Sequence, residues 1–467
     1  MPTRSVNVIN LQTVEDPEEL PRYTGSPWYL FLSDVRLFFR NILYLPYIFL
    51  PIAPWPSGPL DELYPSLANI LDVIFHSILF VLQLGFLLSL PFLIYVPFSL
   101  FVSYVVGVIL LNLLLCQVLN RGIPKDGLRS TEDEDSRSWR QHDDECWIFL
   151  NGICVGKNWL QNNVDRLSRT FHRPVIGVHN RTSGVVFDII QCLIQRSLLF
   201  ATSDVRDCYV LVKKALYKKE VKKVILILHS QGGIEGSMIV DWLLNEVPQD
   251  LLQYLEVYTF GSIANHFNNP FRDAISHVSS PGSLSNGETS GRSHNRAIPH
   301  VEHYANSYDF ASRFGVLHFT KKMPNDQLEN RFMGNVFVNP KAGHQLNQHY
   351  LDSMFPLDPT NRFTRDPKDT DFMNLNVIIH STQQAKLPDS IRPETVVEIL
   401  DHAGIFRDFS QEPATATEVL NLSPVSPLSG VNRWTGEPNS NRTRPKSKLK
   451  IRDLSRLWLY RNGGRPA

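Results

Sequence analysis

The segment VILILHSQGGIEGSMIVDWLL, residues 224–244, is the most informative part of the sequence. Its first five residues have the composition of a buried strand, and the run after the two glycines has that of a helix. Where a strand turns tightly into a helix, the turn residue is lifted above the sheet edge, and free N–H groups of the helix point to the space beside it. Gly232 and Gly233 relieve the crowding of such a turn. The sequence therefore predicts that Ser230 presents its hydroxyl at the edge of a sheet.

Strand-like and helix-like segments alternate on both sides of this stretch, from about Glu145 onward. The strand-like segments are CWIFLNG (146–152), PVIGVHN (174–180), KVILILHS (223–230), LEVYTFGS (255–262), PHVEHYANSYD (299–309) and NVFVN (335–339). Helical segments are expected around 158–171, 186–217 and 233–246. Strands separated by helices predict an α/β domain at 145–383 with a doubly wound, mostly parallel sheet.

The motif HSQGG resembles the nucleophile elbow of the α/β-hydrolase superfamily, in which the pattern is G-x-S-x-G. With TFGS, GH and HY further along, the chain is similar to the lipase-like serine esterase branch, including membrane-anchored fungal members. The resemblance covers residues 145 to about 380. Leu228 stands where the motif has its first glycine, which predicts looser helix–strand packing or a different crossing at the elbow.

The resemblance implies Ser230 as nucleophile, followed along the chain by an acid and then a histidine. Asp309 lies on the loop after the strand of PHVEHYANSYD and is the predicted acid. The rival, Asp273, lies beside a flexible insertion rather than after a strand. A simpler interpretation of Asp309 is that it caps the helix beginning at FASRFG.

The predicted base is His344, which follows Gly343 in the loop after the last strand. His349 is the weaker candidate, because it would lie inside the following helix, next to Tyr350. His229, beside the nucleophile, is expected to pack or to donate a hydrogen bond rather than to catalyse.

The resemblance also implies an oxyanion hole. One donor is the backbone N–H of Gln231, and the other is the backbone of Gly152 or Ile153, in the loop FLNGICVGKNW. Asn151 stands where related sequences often have histidine. The alternative interpretation of this loop is a plain strand-to-helix turn.

A membrane helical hairpin is predicted at 73–119. From Val73 to Asn120 the chain has no Asp, Glu, Lys or Arg, and a spanning helix needs about 20 apolar residues. We expect helices at 73–94 and 98–119, broken around Pro91 and Pro97. The turn is so short that a hairpin dipping into the membrane without crossing it is the alternative. In both versions the flanks share one side.

Basic residues after the hairpin assign that side to the cytosol, by the positive-inside rule. These residues are Arg121, directly after the hairpin, and Lys125 and Arg129, in the predicted charged linker 122–144. Before the hairpin, residues 1–27 are expected to be a flexible tail. Residues 28–55 are aromatic and apolar and are predicted to lie at the membrane interface. The alternative for 28–55 is a helix packed on the soluble domain.

Composition loses its pattern in two places. Residues 276–297 are rich in Ser, Gly and Asn and are expected to be a flexible insertion. Residues 384–467 are expected to form a largely disordered tail with a basic end. That end is either solvated or bound to anionic lipid, with nucleic acid a distant third interpretation.

Global charge and cysteine content exclude several classes of function. Acidic and basic residues balance at 46 each, so no overall field favours nucleic acid as a partner. The five cysteines are Cys116, Cys146, Cys154, Cys192 and Cys208, with no CxxC pair and no zinc spacing. We expect reduced thiols, no metal and no cofactor.

Together these features predict a membrane-anchored serine hydrolase that cleaves carboxylic esters. Its partner would be a lipid bilayer and its substrate a lipid ester, met in the membrane plane by a cytosolic domain at the endoplasmic reticulum or lipid droplets. The alternative is a non-catalytic, hydrolase-like scaffold that tethers partners to a membrane.

Overall fold

The structure is a computed structural model, and it describes residues 5–10, 26–132, 142–270, 296–320, 332–377 and 450–466. Nine strands in this part of the chain form one sheet. They are β1 Ser5–Asn10, β2 Leu128–Arg129, β3 Glu145–Leu150, β4 Val175–Val178, β5 Lys223–His229, β6 Leu255–Phe260, β7 His300–Asn306, β8 Asn335–Asn339 and β9 Asn376–Val377.

The order of strands across the sheet is β2-β4-β3-β5-β6-β7-β8-β1-β9. From β4 to β8 every neighbouring pair is parallel, whereas β2 and β1 join antiparallel at either side of this parallel block. The chain passes from β3 to β4 on one side and then returns to β5 on the other. The carboxyl ends of β3 and β5 therefore flank the point where the strand order reverses, and a crevice opens there in sheets of this type.

Helices cover both faces of the sheet. They are α1 Pro27–Arg40, α2 Leu67–Ser89, α3 Phe98–Asn120, α4 Lys157–Phe171, α5 Val185–Leu198, α6 Ser203–Leu216, α7 Gly232–Glu246, α8 Gln249–Leu252, α9 Phe310–Phe314, α10 Val316–Phe319, α11 Asp352–Met354 and α12 Ile451–Leu454. Two hydrophobic clusters result, one with α5, α6 and α7 and one with α4 and the C-terminal segment. The mostly parallel α/β architecture predicted from the sequence is present.

The elbow helix packs closely on its strand, so the prediction of loose packing at Leu228 is wrong. Leu228 is fully buried, and Gly236 of α7 lies directly over it. A Cβ built on Gly236 would lie 2.2 Å from Leu228 Cδ1. The motif usually has a glycine on the strand, where it makes room for the helix. Here the strand has Leu228, and Gly236 on the helix makes room for it.

Two apolar helices long enough to cross a membrane occupy the predicted hairpin. The first, α2, begins at Leu67, before the uncharged run, because Ser66 caps it by accepting a hydrogen bond from the Asn69 N–H (3.2 Å). A 3₁₀ turn, Leu90–Tyr95, joins α2 to α3. Pro91 lies inside this turn and Pro97 directly precedes α3, so the break falls around the two prolines identified in the sequence.

Both interpretations of residues 28–55 describe part of this segment. Helix α1 packs against α5, and its Asp34 forms a buried ion pair with Arg196 (2.6 Å). Its opposite face is exposed and apolar, with Trp28, Leu32 and Phe39. The segment is thus held by the domain on one face and free to meet a membrane on the other.

Two predicted loose segments contain ordered structure. In the N-terminal segment, residues 5–10 form strand β1, which pairs with β8 and β9. In the linker, Leu128–Arg129 form strand β2, which pairs with β4. In both cases the pairing partner is distant in sequence, so the local composition carried no signal of it.

The prediction of a disordered C-terminal tail is wrong for residues 450–466. This C-terminal segment packs onto the sheet, where Leu457, Trp458 and Tyr460 are buried. Buried Glu302 accepts hydrogen bonds from the backbone N–H groups of Arg456 (2.7 Å) and Leu457 (3.3 Å). The rest of the predicted tail, to residue 449, and the insertion at 276–295 lie outside the described residues. All five cysteines are free thiols.

Candidate active site

The turn after β5 holds Ser230 in a left-handed backbone conformation, with φ of 56°. Its N–H donates to the Phe260 carbonyl (3.0 Å), and its carbonyl accepts from the Gly233 N–H (2.9 Å). A non-glycine residue adopts this conformation only when its surroundings hold it there. The predicted strand–turn–helix at Ser230 is therefore present, with Ser230 in a strained backbone conformation.

Three glycines make this turn possible by close approach. A Cβ on Gly232 would lie 2.5 Å from the Leu150 carbonyl oxygen, and one on Gly233 would lie 2.2 Å from Ser262 Oγ. A Cβ on Gly152 would lie 2.5 Å from Ser230 Cβ. The loop after β3 therefore lies directly against the serine.

Asp309 and His344 are in direct contact, with His344 Nδ1 3.0 Å from Asp309 Oδ2. The other oxygen, Oδ1, accepts from the Ala311 N–H (2.9 Å) and caps α9. The two interpretations of Asp309 thus hold together, because each uses a different oxygen. A histidine whose Nδ1–H faces a carboxylate leaves Nε2 able to accept a proton.

Two hydroxyl groups complete the environment of Asp309. Tyr350 Oη donates to Oδ2 (2.8 Å), and Ser312 Oγ donates to the same atom (2.9 Å). Burial raises the pKa of Asp309, but the His344 imidazole and the hydrogen bonds from Tyr350 and from the Ala311 N–H outweigh it and hold the pKa below its ordinary value. The carboxylate is therefore charged at neutral pH. Sequence reasoning missed both hydroxyls, because neither belongs to a motif.

His229 supports His344 from the nucleophile's side. Its ring stacks on the His344 ring, with centroids 4.7 Å apart, and its Nε2–H donates to the His344 carbonyl (2.8 Å). Burial lowers the pKa of His229 to about 3, so the ring is neutral. This is the packing role expected for His229.

His349 uses both ring nitrogens elsewhere. Nδ1 accepts from the Gln345 N–H (2.9 Å), and Nε2 donates to the Pro51 carbonyl (2.9 Å). Burial lowers the pKa of His349 to about 4. It has no free nitrogen with which to take a proton from Ser230. The other rival, Asp273, lies outside the described residues.

The Ser230 hydroxyl is the group that the structure does not join to its predicted partner. Among the described residues, no hydrogen bond links Ser230 Oγ to His344. Catalytic hydrogen bonds are often long in unliganded enzymes and shorten when the substrate binds. Ser230 and His344 still meet one neighbour in common, His229.

The predicted oxyanion donors surround Ser230. In the described part of the chain, the backbone N–H groups of Gln231 and Ile153 have no hydrogen-bond partner. Asn151 does not aim its amide at the site: Nδ2 donates to the carbonyls of Gly152 (2.9 Å) and Asn180 (3.1 Å). Its role is to fasten the loop after β3 to the loop after β4.

The Gln231 side chain is also fixed. Its Oε1 accepts from Asn180 Nδ2 (2.7 Å), and its Nε2 donates to Gln195 Oε1 of α5 (2.6 Å). Because both ends are held, the position of the Gln231 side chain beside Ser230 is fixed. This pre-organisation is what electrostatic stabilisation of a negative charge needs.

A segment before the hairpin reaches the loop that carries His344. Glu62 accepts from the backbone N–H groups of Asn347 (2.9 Å) and Gln348 (3.1 Å), and so caps the π-helix Leu346–Leu351. Burial raises the pKa of Glu62. The membrane-proximal segment thus positions the element that follows the predicted base.

Among the described residues, no cluster of three or more His, Cys, Asp or Glu is arranged to hold a metal ion. Comparison of the chain with protein-family models, with curated proteins and with solved structures found no match.

Proposed function

We propose that the protein is a membrane-anchored serine hydrolase of the α/β-hydrolase type that cleaves carboxylic esters of lipids. The observation that supports it best is the 3.0 Å contact between Asp309 and His344, beside a serine in a left-handed turn. Ser230 lies at the carboxyl end of β5, where the strand order reverses and where parallel sheets bind their ligands.

In the proposed reaction, Ser230 Oγ attacks the ester carbonyl while its proton moves to Nε2 of His344. The backbone N–H groups of Gln231 and Ile153 stabilise the oxyanion. The alcohol leaves with the proton from His344, and an acyl-enzyme remains. Water then attacks this acyl group and gives its proton to His344, and the carboxylic acid is released as Ser230 regains its hydrogen. Asp309 stays charged throughout and stabilises the cationic imidazole.

A fluorophosphonate probe tests this proposal on full-length protein solubilised in detergent. We expect labelling of the wild type, no labelling of Ser230→Ala, and full labelling of the matched control Ser237→Ala. Ser237 is a buried serine on α7, the helix that follows Ser230, and its hydroxyl only donates to the Ile234 carbonyl (2.8 Å). Absence of labelling in the wild type would favour the non-catalytic scaffold. Equal labelling of the wild type and Ser230→Ala would show that Ser230 is not the nucleophile.

A further inference from the structure

The hairpin is fastened to the domain by a buried polar network in the middle of its apolar helices. Gln83 of α2 donates to Asn112 Oδ1 of α3 (2.8 Å) and to the Ser183 carbonyl of the domain (2.6 Å). Asn112 donates to the same carbonyl (3.1 Å). Both side chains are buried. One carbonyl of the domain thus joins both helices of the hairpin.

This network also caps a helix of the domain. Gln83 Oε1 accepts from the N–H groups of Val186 (3.0 Å) and Phe187 (3.4 Å), in the first turn of α5. Gly184 makes the approach possible, since it has φ of 96° and a Cβ there would lie 2.1 Å from Gln83 Nε2. The position of the hairpin along the domain is therefore specific.

Polar contacts between hairpin and domain continue from this network towards the base of the hairpin. Asn120 exchanges hydrogen bonds with the Thr182 backbone (2.8 and 3.2 Å), and Asp72 accepts from Asn158 (3.0 Å). From the network towards the tip, the last aromatic contact between hairpin and domain among the described residues is that of Phe86 with Phe187. The domain therefore flanks the part of the hairpin between its base and the network at Gln83, the lower half. The part between the network and the tip, the upper half, has no aromatic or polar contact with the domain other than that of Phe86 among the described residues.

The free half is too short to cross a bilayer. From Asn112 back to Phe98, α3 rises about 21 Å, at 1.5 Å per residue. The hydrocarbon core is about 30 Å thick, and a headgroup layer lies outside it. To span, the hairpin would carry Ser183 and the start of α5 into hydrocarbon together with the polar domain around them, which is costly.

The tip has the chemistry of a segment that stays in hydrocarbon. The 3₁₀ turn at the tip, LPFLIY, carries no charged residue. Large side chains in the turn and at the start of α3 are exposed: Phe92 is 71% exposed, Ile94 82% and Phe98 79%. A turn that emerged into water on the far side would expose these side chains to water.

We infer that the hairpin is a monotopic anchor, which inserts its upper half into one phospholipid leaflet and ends near the middle of the bilayer. The network at Gln83 sets the depth. Helix α1, which packs on α5 beside α2, then lies at the headgroups, with Trp28 and Leu32 towards the acyl chains and Arg36 and Arg40 available to lipid phosphates. This inference does not depend on the proposed hydrolase activity.

Cysteine accessibility of full-length protein in sealed microsomes tests the anchor. A membrane-impermeant maleimide is added to intact microsomes, then to microsomes opened by sonication, and finally with detergent. We expect Ile94→Cys to react only with detergent. The control Lys125→Cys, on an exposed residue beyond the hairpin, reacts before detergent, and the wild type shows the background of its five cysteines, none of which is exposed.

Reaction of Ile94→Cys in sonicated microsomes would show that the tip emerges into the lumen, and the hairpin would then span the membrane. Reaction in intact microsomes would show that the tip is outside the membrane altogether. Either result overturns the inference.

Discussion

At Ser230 the left-handed backbone costs a non-glycine residue about 1 kcal/mol or more, and the surrounding contacts must offset it. Gly152 is the glycine that lies directly against Ser230 Cβ, with no space for a side chain of its own. The serine and the loop that is predicted to supply an oxyanion donor are thus fitted to each other.

Gly152→Ala is predicted to abolish fluorophosphonate labelling, or to slow it at least tenfold, since the new Cβ would lie 2.5 Å from Ser230 Cβ and one of the two must move. Gly85→Ala is the control, because a Cβ on Gly85 meets nothing within 4 Å. The labelling rates of the two variants are measured side by side in detergent. Equal rates would contradict the close contact between Gly152 and Ser230.

Asp309→Asn is predicted to lower turnover of a short-chain ester by about four orders of magnitude, because an amide at this position favours the wrong tautomer of His344. The fold should be kept, since the asparagine oxygen can still accept from the Ala311 N–H. Tyr350→Phe removes only one hydrogen bond to Asp309 and should cost far less. Steady-state kinetics beside circular dichroism tests this order; comparable losses would contradict it.

His344 is the predicted base, and its replacement separates it from His349. His344→Ala is expected to lose nearly all turnover. His349→Ala should keep most of it, because both ring nitrogens of His349 are hydrogen-bonded to the backbone of Gln345 and Pro51. Any loss in His349→Ala should accompany a lower melting temperature. Turnover that survives in His344→Ala would remove it from the proposed triad.

At the scale of elements, the link between hairpin and domain should be measurable as stability. Gln83→Ala is predicted to lower the free energy of unfolding by about 1 to 2 kcal/mol, because it removes a buried hydrogen-bond partner of α3 and of α5. Gln117→Ala, on an exposed position of α3, is the matched control and should be neutral. Thermal unfolding in one detergent compares them; a neutral Gln83→Ala would show that the network adds nothing.

The segment before the hairpin is predicted to give the fold a pH dependence. Burial and the charges of Asp352 and Glu62 raise the pKa of Asp61 from 3.8 to about 9. Between these values the folded state holds a proton that the unfolded chain has released. The contribution to stability is therefore complete below pH 3.8 and is lost as the pH rises towards 9.

Asp61→Asn tests this dependence, because the amide resembles the protonated acid and its oxygen can accept from the Ser57 N–H, now 3.0 Å from Asp61. From about pH 6 to about pH 9 the melting temperature of the wild type should fall more than that of the variant. Parallel melting curves over this range would show that Asp61 is not protonated in the fold.

At the scale of the whole molecule, predictability follows the range of the interactions. The strands β3, β5 and β8 are continuous apolar runs, and their bounds were readable from composition. The pairing of β1 with β8, and the packing of the C-terminal segment, depend on partners hundreds of residues away. Local composition carries no information about such distant partners. The basic, Pro-containing composition of the tail predicted disorder, whereas its last residues pack onto the sheet.

The candidate site was predictable where a motif or chain order fixed it, as for Ser230, Asp309 and His344. The hydroxyl groups of Tyr350 and Ser312, and the capping carboxylate of Glu62, were not. Each is an ordinary residue that acts through contact with a distant segment. Gly236 could not be identified from the sequence for the same reason, because a glycine is needed there only since Leu228 packs against it.

If the proposed hydrolase activity holds, the arrangement of α1 and the hairpin predicts a preference for substrate in a membrane. Both α1 and α2 pack on α5, and both carry exposed apolar side chains. Leu32→Glu on α1 and Leu43→Glu in the 3₁₀ segment that follows it, Ile42–Ile48, place two charges here, where both residues are largely exposed. Turnover of an ester embedded in vesicles should fall at least tenfold, because α1 would leave the headgroup region.

Turnover of a soluble short-chain ester by the same variant should stay unchanged, since neither leucine touches the predicted triad. Leu459→Glu is the control: Leu459 is also exposed, but it lies in the C-terminal segment, which packs with α4 on the other face of the sheet. The ratio of the two turnover rates isolates the membrane contribution from the chemistry. If both substrates are lost together, the leucines support the fold; if neither is affected, α1 does not meet the membrane.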